Sequence, residues 1–377
     1  MSTTAIRLLE PRELLAFLPY QLGFQPTESL VAVSLRGQRA HVGLVARVDL
    51  DDLGDEKGGP GLARALVGHL DADRAHAYAL VVYSADGVGA AGSTANRAVK
   101  AVEHLRAAAE AHLPERGAWV VTPTGYSALG CADERCCPPG GRPLAELQST
   151  AIGAHMVLAG VAIADSRDGV GRIVPADAEA RRSASRAARR WAGKRQPGDG
   201  GPRRGRAAMS DCEWRIASLE AWRDGWARSR AGDASRAVDH GRLAAALEDV
   251  RLRDAVLLSL IPDTADLPER SLSEGADDEV GAALARLMDP RTGVPPRRDE
   301  VETARRVLEG VVAHAPRRSG APALTLLALL AWWEGDGARA AILLVRAERC
   351  EPGYRLAALL QQAVDVGMPP GWVRGGR

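Results

Sequence analysis

The first half of the chain alternates between short apolar runs and segments with helical spacing. Two Val-rich runs, 29–36 and 41–50, are separated by a turn at Gly37, which predicts a β-hairpin. Two further runs, 78–83 and 118–122, are short and continuously apolar. Such runs are typical of strands that are buried on both faces of a sheet.

Helical segments connect these predicted strands. Residues 61–70 and 94–112 repeat apolar side chains three or four positions apart, as one buried stripe of a helix requires. An apolar segment over 149–164, with Ser149 as its N-cap, ends the block as a further helix. The alternation of strands and helices predicts an α/β domain with a mixed, partly parallel sheet covered by helices.

The second half has a different pattern, because every periodic segment beyond about residue 179 is helical. Residues 181–206 hold ten Lys or Arg side chains and one acid, and the Pro-Gly-Asp-Gly-Gly-Pro run within them cannot continue a helix. The pattern predicts an α/β domain over 1–178, a basic flexible linker over 179–208 that starts as a frayed helix, and an all-α helical domain over 209–377.

The helical domain ends in one segment with the spacing of a tetratricopeptide repeat. Residues 321–352 place small and apolar side chains where two closely packed antiparallel helices require them. The matching positions are Leu324, Leu327, Ala328, Ala331, Gly335, Asp336, Ala340, Leu344, Ala347 and Pro352. A superhelix normally needs at least three repeats, and no second copy lies upstream. We therefore expect one tetratricopeptide-like hairpin, with a packing role favoured over a peptide-binding groove.

Composition limits the class of protein. A chain of 377 residues is too long for one ordinary core, which favours two or three domains. Five cysteines, an odd number, do not form a secreted disulfide framework. The longest apolar run, 321–333, is shorter than the roughly 20 residues that a membrane span needs. We therefore expect a cytoplasmic protein with no membrane contact.

Charge is unevenly distributed although the net charge is only +1. The charges sum to −5 over 1–180, to +9 over 181–206 and to −3 over 207–377. The basic segment contains one aromatic residue, Trp191, and therefore lacks the series of aromatic side chains on which nucleic-acid bases stack. This pattern disfavours nucleic acid as a partner, and weak association through the basic linker is kept as an alternative.

Residues 131–138 read Cys-Ala-Asp-Glu-Arg-Cys-Cys-Pro and hold three of the five cysteines. Structural zinc requires four ligands, commonly from paired Cys-x(2–4)-Cys units, whereas Cys131, Cys136 and Cys137 supply three. Arg135 beside Cys136 favours a thiolate, which makes a redox role an alternative. The favoured interpretation is a compact turn whose small side chains pack against the sheet. Zinc is possible, and no other cofactor is predicted.

A second group of polar residues lies near the predicted hairpin. Alternation along 44–50 puts Arg47 and Asp49 on one face of a strand, with Tyr20 or Ser29 near them. A guanidinium and a carboxylate on one face could orient an anionic ligand. Equally, the two could pair with each other at the surface, where an ion pair stabilises little. We favour the ion pair, and keep all four residues as candidates for ligand binding.

The other motifs are weak. Residues 87–92 fit Gly-x-Gly-x-x-Gly between a strand and a helix, but Asp86 precedes them and no acid ends the next strand. A flexible loop is therefore preferred to a dinucleotide site. The sequence contains no Gly-x-Ser-x-Gly, and its eight histidines are dispersed.

Five segments together carry a family resemblance. Residues 14–31 end in Leu-Pro-Tyr-Gln-Leu-Gly-Phe-Gln-Pro-Thr-Glu-Ser-Leu-Val, and the others are 47–50, 131–138, 332–337 and 352–357. In this order they resemble the domain-of-unknown-function family 4192 of high-G+C bacteria. The arginine bias is consistent with such a source, since three of the 49 basic residues are Lys. The family is uncharacterised, so the resemblance implies an architecture and transfers no activity.

The sequence predicts a non-catalytic ligand-binding or scaffold protein, with a protein partner on the helical domain. The alternative is an enzyme whose site lies at the sheet edge, near Arg47, Asp49 and the cysteine turn. An enzyme should place a thiol in a pocket with Arg47 or Tyr20. A scaffold should bury the thiols and expose an apolar groove on the helical half.

Overall fold

The chain forms two compact units, Met1–Val170 and Gly171–Arg377, in a computed structural model. The structure describes residues 10–37, 40–86, 93–110, 112–158, 163–196, 208–316 and 319–375. The first unit ends at Val170, whereas the sequence predicted that the α/β domain ends at residue 178.

The first unit contains a five-stranded mixed sheet. Its strands are β1 (Ser29–Arg36), β2 (His41–Asp49), β3 (Ala77–Tyr83), β4 (Glu115–Val121) and β5 (Tyr126–Ala128). They lie in the order β2-β1-β3-β4-β5, with β3 and β4 parallel and the other neighbours antiparallel. The predicted hairpin and the predicted mixed, partly parallel sheet are both confirmed.

Helices flank the sheet. They are α1 (Pro11–Leu22), α2 (Leu50–Leu53), α3 (Gly59–Ala72), α4 (Ser93–Ala109), α5 (Ala145–Gln148) and α6 (Ala151–Leu158). The predicted helices over 61–70 and 94–112 correspond to α3 and α4. The predicted N-cap of the last helix is wrong, because the Ser149 hydroxyl donates to the Ala145 carbonyl oxygen at 3.1 Å. The Thr150 hydroxyl instead accepts the Gly153 N–H at 3.1 Å.

Alternate residues of the central strands separate the two faces of the sheet. Leu30, Leu80 and Val82 pack in one cluster with residues of α3 and α4. The intervening Val81 and Tyr83 are equally buried but stand outside that cluster, so they face the other side of the sheet. Tyr83 shares a cavity there with residues of α1, a helix that also contacts α5 and α6. Helices therefore cover both faces.

The second unit is built from helices in its described part. They are α7 (Ala178–Ala192), α8 (Asp211–Ala231), α9 (Ala237–Ala246), α10 (Val250–Leu258), α11 (Leu267–Arg270), α12 (Asp277–Ala285), α13 (Arg298–His314), α14 (Ala321–Trp333), α15 (Gly337–Cys350), α16 (Arg355–Asp365) and α17 (Gly371–Gly375). One core contains three fully buried tryptophans, Trp214, Trp222 and Trp333. Every residue of α14 is buried. The tetratricopeptide-like hairpin stays a prediction.

The segment predicted as a basic linker begins with an ordered helix. Along α7, Ala184, Ala187 and Trp191 are buried, whereas none of the arginines of this helix is buried. Gly241 of α9 permits this packing, because a Cβ atom there would lie 2.1 Å from the Ala184 carbonyl oxygen. The structure therefore differs from a flexible linker over α7, since the helix has an apolar stripe beneath its charges. Residues 197–207 lie outside the described residues, where the linker stays a prediction.

Candidate functional site

A cavity of about 460 Å³ lies at one edge of the sheet. At this edge β1 begins, and the parallel strands β3 and β4 end. Residues of α1 and the 144–148 segment supply most of its apolar lining, including Leu15, Pro19, Leu144 and Leu147. Its polar lining includes Tyr20, Glu28, Tyr83, Ser84 and Gln148. The described lining contains no Lys, Arg, His or Asp, and Glu28 is its one acidic residue.

Glu28 occupies an unusual backbone position just before β1. Its φ of 41° lies in the left-handed region, which a glutamate rarely adopts and which concentrates at functional sites. Its Oε1 accepts the Ala85 N–H at 2.7 Å, and its carbonyl oxygen accepts the Leu50 N–H at 3.0 Å. Glu28 thus joins the beginning of β1 to the ends of two other strands. Its Oε2 is buried and has no hydrogen-bond partner among the described residues.

Two further buried hydroxyls lack partners beside Glu28. Tyr83 and Ser84 are each 3% exposed, and neither the phenol nor the Ser84 hydroxyl bonds to any described group. Burial raises the pKa of Tyr83 above its usual value, so the phenol keeps its proton and can donate. Unpaired buried polar atoms are rare and costly. Three such atoms lie beside one cavity, which makes this cavity the candidate site of the α/β unit.

The structure brings part of the predicted polar group to this edge. Tyr20 lines the cavity, whereas Ser29 is buried next to Glu28 and is outside the cavity lining. Arg47 and Asp49 pair with each other, with 2.6 Å between Nη2 and Oδ1. Arg47 Nη2 also lies 3.4 Å from the Thr27 carbonyl oxygen. The guanidinium therefore already has protein partners.

Sequence reasoning missed Glu28, Tyr83 and Ser84. One signal could have located them, because ligands in open α/β sheets bind beyond the carboxyl ends of the strands. Tyr83 ends a strand that pairs in parallel with β4, and Ser84 follows it. The glycine motif at 87–92 comes next along the chain, and it lies outside the described residues.

The three clustered cysteines lie in a different place from the cavity. They occupy the thiol turn, residues 131–138, which follows β5. Cys131 and Cys136 are exposed, and Cys137 is half-buried. None of the three lines the cavity that contains Tyr20. The expectation that these side chains pack against the sheet, and are buried as in a scaffold protein, is wrong for Cys131 and Cys136, because both are exposed.

The second unit carries a groove of about 1020 Å³ with six arginines in its lining. They come from two helices: Arg181, Arg182, Arg186 and Arg189 from α7, and Arg346 and Arg349 from α15. Apolar residues such as Ile173, Val312 and Leu324 form the rest, and the described lining contains no acid. Burial lowers the pKa of Arg346, which nevertheless donates to the Gly171 carbonyl oxygen. We call this surface the arginine groove.

These features define a protein with an α/β unit that carries a sheet-edge cavity and a helical unit that carries an arginine groove. Among the described residues, no helix combines the length and apolar character needed to cross a bilayer. The chain belongs to the family described as domain of unknown function (DUF4192), which matches residues 11–286 and 276–371. This confirms the resemblance drawn from the sequence. No curated protein and no solved structure matches the chain.

Proposed function

We propose that the protein is a cytoplasmic, non-catalytic binding protein whose α/β unit holds a small ligand bearing amino or hydroxyl groups. The observation that carries this proposal is the unpaired, buried Oε2 of Glu28 beside the sheet-edge cavity. The cytoplasmic location is supported by the cysteines, since none of the five forms a disulfide with another described residue, as in reducing compartments.

The lining selects the chemistry of the ligand. A carboxylate oxygen accepts hydrogen bonds, so Glu28 favours a ligand with N–H or O–H donors and disfavours an anion. The hydroxyls of Tyr83 and Ser84 both donate and accept, and suit a ligand with several polar groups. Apolar residues of α1 enclose the remainder. A volume of about 460 Å³ lies within the usual range of small-molecule sites, roughly 300–1,000 Å³.

Binding is favoured over the enzyme alternative by where the reactive groups lie. That alternative places a thiol in one pocket with Tyr20 or Arg47. The cavity contains Tyr20 without any of the three clustered cysteines, and Arg47 is paired with Asp49. The residues that do converge, Glu28, Tyr83 and Ser84, form a set of hydrogen-bonding groups around an apolar space.

A ligand screen of the full chain tests this proposal. We expect a panel of small amines, amino alcohols and neutral polyols to contain compounds that raise the melting temperature, whereas matched carboxylates do not. Glu28→Gln should weaken binding about 10- to 100-fold, since a hydrogen bond to a charged group contributes about 1.5–3 kcal/mol. Calorimetric titration measures this loss. The amide oxygen of Gln can still accept the Ala85 N–H, so the fold should be retained.

Two variants serve as controls. Glu103→Gln removes an exposed carboxylate on α4 and should leave binding unchanged. Tyr83→Phe should leave the ligand-free protein equally stable or more stable, because the phenol has no partner among the described residues, yet should weaken binding. Preferential binding of the carboxylates, or equal affinity in wild type and Glu28→Gln, would contradict the proposal.

A second candidate function is supported by the arginine groove. We propose that it binds an acidic segment of a protein partner. None of the five exposed arginines in its lining forms an ion pair with a described residue, and Asp177 acts on Arg182 only through its longer-range charge. The described part of the groove lining contains no aromatic side chain for base stacking, and Ile173, Val312 and Leu324 offer apolar contacts that a nucleic-acid backbone does not need. An acidic peptide with interspersed apolar residues fits both parts of the lining.

Charge reversal on α7 tests this second function. Arg186→Glu combined with Arg189→Glu should weaken binding of a Glu/Leu-rich peptide at least about tenfold, because like charges across an interface repel. Fluorescence anisotropy at two salt concentrations measures the loss and its screening. Arg291→Glu with Arg298→Glu changes the net charge equally, away from the groove, and should have little effect. A single-stranded oligonucleotide that binds more tightly than the peptide would overturn the assignment.

A further inference from the structure

The three sulfur atoms of the thiol turn lie together on one exposed patch. The Sγ atoms of Cys131, Cys136 and Cys137 are all within 4.8 Å of one another. The Sγ atoms of the adjacent Cys136 and Cys137 are 3.9 Å apart, so the two neighbours present their sulfurs on the same side of the turn. Burial of apolar surface does not account for this clustering, because Cys131 and Cys136 are exposed. Their convergence therefore requires another explanation.

The backbone holds this arrangement in place from both ends. Before the sulfurs, the Cys131 N–H donates to the Ala128 carbonyl oxygen of β5 at 3.2 Å. After them, Arg142 pairs with Tyr126 of β5 through two backbone hydrogen bonds of 2.7 and 2.9 Å. Both ends of the loop are thus fixed to the sheet. The thiol turn is therefore anchored to β5 on both sides.

Hydrogen bonds within the turn orient the sulfurs individually. The Asp133 carbonyl oxygen accepts the N–H groups of both Cys136 and Cys137, at 3.0 and 2.8 Å. The Ala128 N–H donates to Cys137 Sγ at 3.3 Å. Amide groups directed at sulfur are the surroundings that support thiolate ligands of metals.

We propose that the thiol turn binds one thiophilic metal ion, Zn²⁺ or Cu⁺, through the thiolates of Cys131, Cys136 and Cys137, with a coordination position left for an exogenous ligand. Zinc–sulfur bonds of about 2.3 Å in tetrahedral geometry place two sulfurs about 3.8 Å apart, close to the spacing of Cys136 and Cys137. No fourth His, Cys, Asp or Glu among the described residues joins the cluster. Each thiol releases its proton to solvent on binding, so three protons leave per ion.

The open position distinguishes this site from structural zinc. Closed structural sites use four protein ligands, whereas sites that act on a substrate or pass a metal onward keep one position for water or another molecule. The exposure of Cys131 and Cys136 gives that molecule access. The metal site is separate from the sheet-edge cavity, and its existence does not depend on the proposed ligand.

Metal titration of the reduced full chain tests the proposal. After removal of metals with a chelator, Zn²⁺ and Cu⁺ are added separately in competition with chromophoric chelators. We expect one equivalent of at least one ion to bind, with release of about three protons. With Co²⁺ as a probe, thiolate-to-metal charge transfer should appear. Cys131→Ser, Cys136→Ser and Cys137→Ser should each weaken binding at least about 100-fold and reduce the charge-transfer band.

Matched variants make the outcome decisive. Cys212→Ser and Cys350→Ser remove the two cysteines outside the turn and should leave affinity unchanged. Circular dichroism should be unaltered in all five variants, because the turn is at the surface. Tight binding of Zn²⁺ alone or Cu⁺ alone identifies the ion. The proposal is overturned if neither ion binds the reduced protein stoichiometrically. If a mild oxidant also forms a disulfide in the turn of such a protein, the result favours a redox role.

Discussion

Replacement of Asp249 by alanine is expected to lower the free energy of unfolding of the helical unit by about 3 kcal/mol. The Asp249 carboxylate is buried, and its Oδ1 accepts the Leu252 N–H at the start of α10 at 3.1 Å. It also pairs with Arg195 at 2.8 Å and with Arg215 at 3.1 Å. Removing it leaves two partly buried guanidinium groups with less compensation and one helix without its N-cap. This loss lies near the lower end of the range of about 3–5 kcal/mol for breaking a buried ion pair. The reason is that Arg195 still forms its other ion pair, with Asp211 at 2.6 Å.

Urea denaturation followed by tryptophan fluorescence measures this loss. The signal reports on the helical unit, because seven of the eight tryptophans belong to it. Asp266→Ala is the matched control: it removes an exposed partner of Arg270 and should cost less than about 1 kcal/mol. Asp249→Asn keeps an oxygen that can cap α10, so its loss of unfolding free energy should lie between those of Asp249→Ala and Asp266→Ala. If Asp249→Ala and Asp266→Ala unfold at the same urea concentration, the network does not stabilise the unit.

A loss of stability in mild acid is expected from His240. This side chain is 5% exposed, stacks on His314 with 4.5 Å between ring centroids, and has no hydrogen-bond partner among the described residues. Burial, with the nearby His314, lowers the pKa of His240 from 6.5 to about 4, and the opposing charge of Asp239 acts more weakly. Below pH 6.5 the unfolded chain therefore binds a proton that the folded protein excludes.

The contribution of His240 is thus complete above pH 6.5 and declines as the pH falls toward 4. Linkage predicts a loss of about 2 kcal/mol between pH 7 and pH 5. Urea titrations of wild type and His240→Leu at several pH values isolate this term, since groups common to both proteins cancel. The wild type should weaken more steeply with acid than the variant. Parallel profiles would show that His240 is not protonated on unfolding.

The sheet could be predicted because its signals are local. The continuous apolar run ending at Tyr83 and the hairpin before it are determined by residues close in sequence, and both lie where the pattern placed them. The helical character of the second half follows from the same kind of periodicity. These elements need no distant partner for their assignment.

The basic segment could not be interpreted correctly from composition alone. Arg195 lies in the predicted linker, yet it pairs with Asp211 and Asp249, and the second of these is 54 residues away in the chain. Trp191 is buried beside Trp214, with 6.4 Å between ring centroids. A run of arginines over alanines has the same composition whether it is solvated or packed. Whether such a run is solvated or packed depends on the residues that contact it in the folded protein.

The candidate sites were predictable to different degrees. The cysteine cluster was visible in the sequence, but whether its sulfurs converge depends on how the turn folds. Tyr20 was identified from its position before the hairpin. Glu28 was not, because its left-handed backbone and unpaired oxygen exist only once three strands meet at one edge. Unpaired polar atoms are a property of the folded state, and no residue pattern records them.

The burial of α14 determines when the helical unit can finish folding during synthesis. Its two tryptophans donate their indole N–H groups to the Met368 and Val294 carbonyl oxygens, at 2.7 and 2.9 Å. Trp372 in turn donates to the Trp333 carbonyl oxygen at 2.8 Å. Met368 and Trp372 are translated after α14, so α14 can pack against the earlier α13 but its indole hydrogen bonds are complete only once these later residues have left the ribosome. The helical unit therefore closes after the α/β unit, and the interval exposes the nascent chain to aggregation and to chaperones.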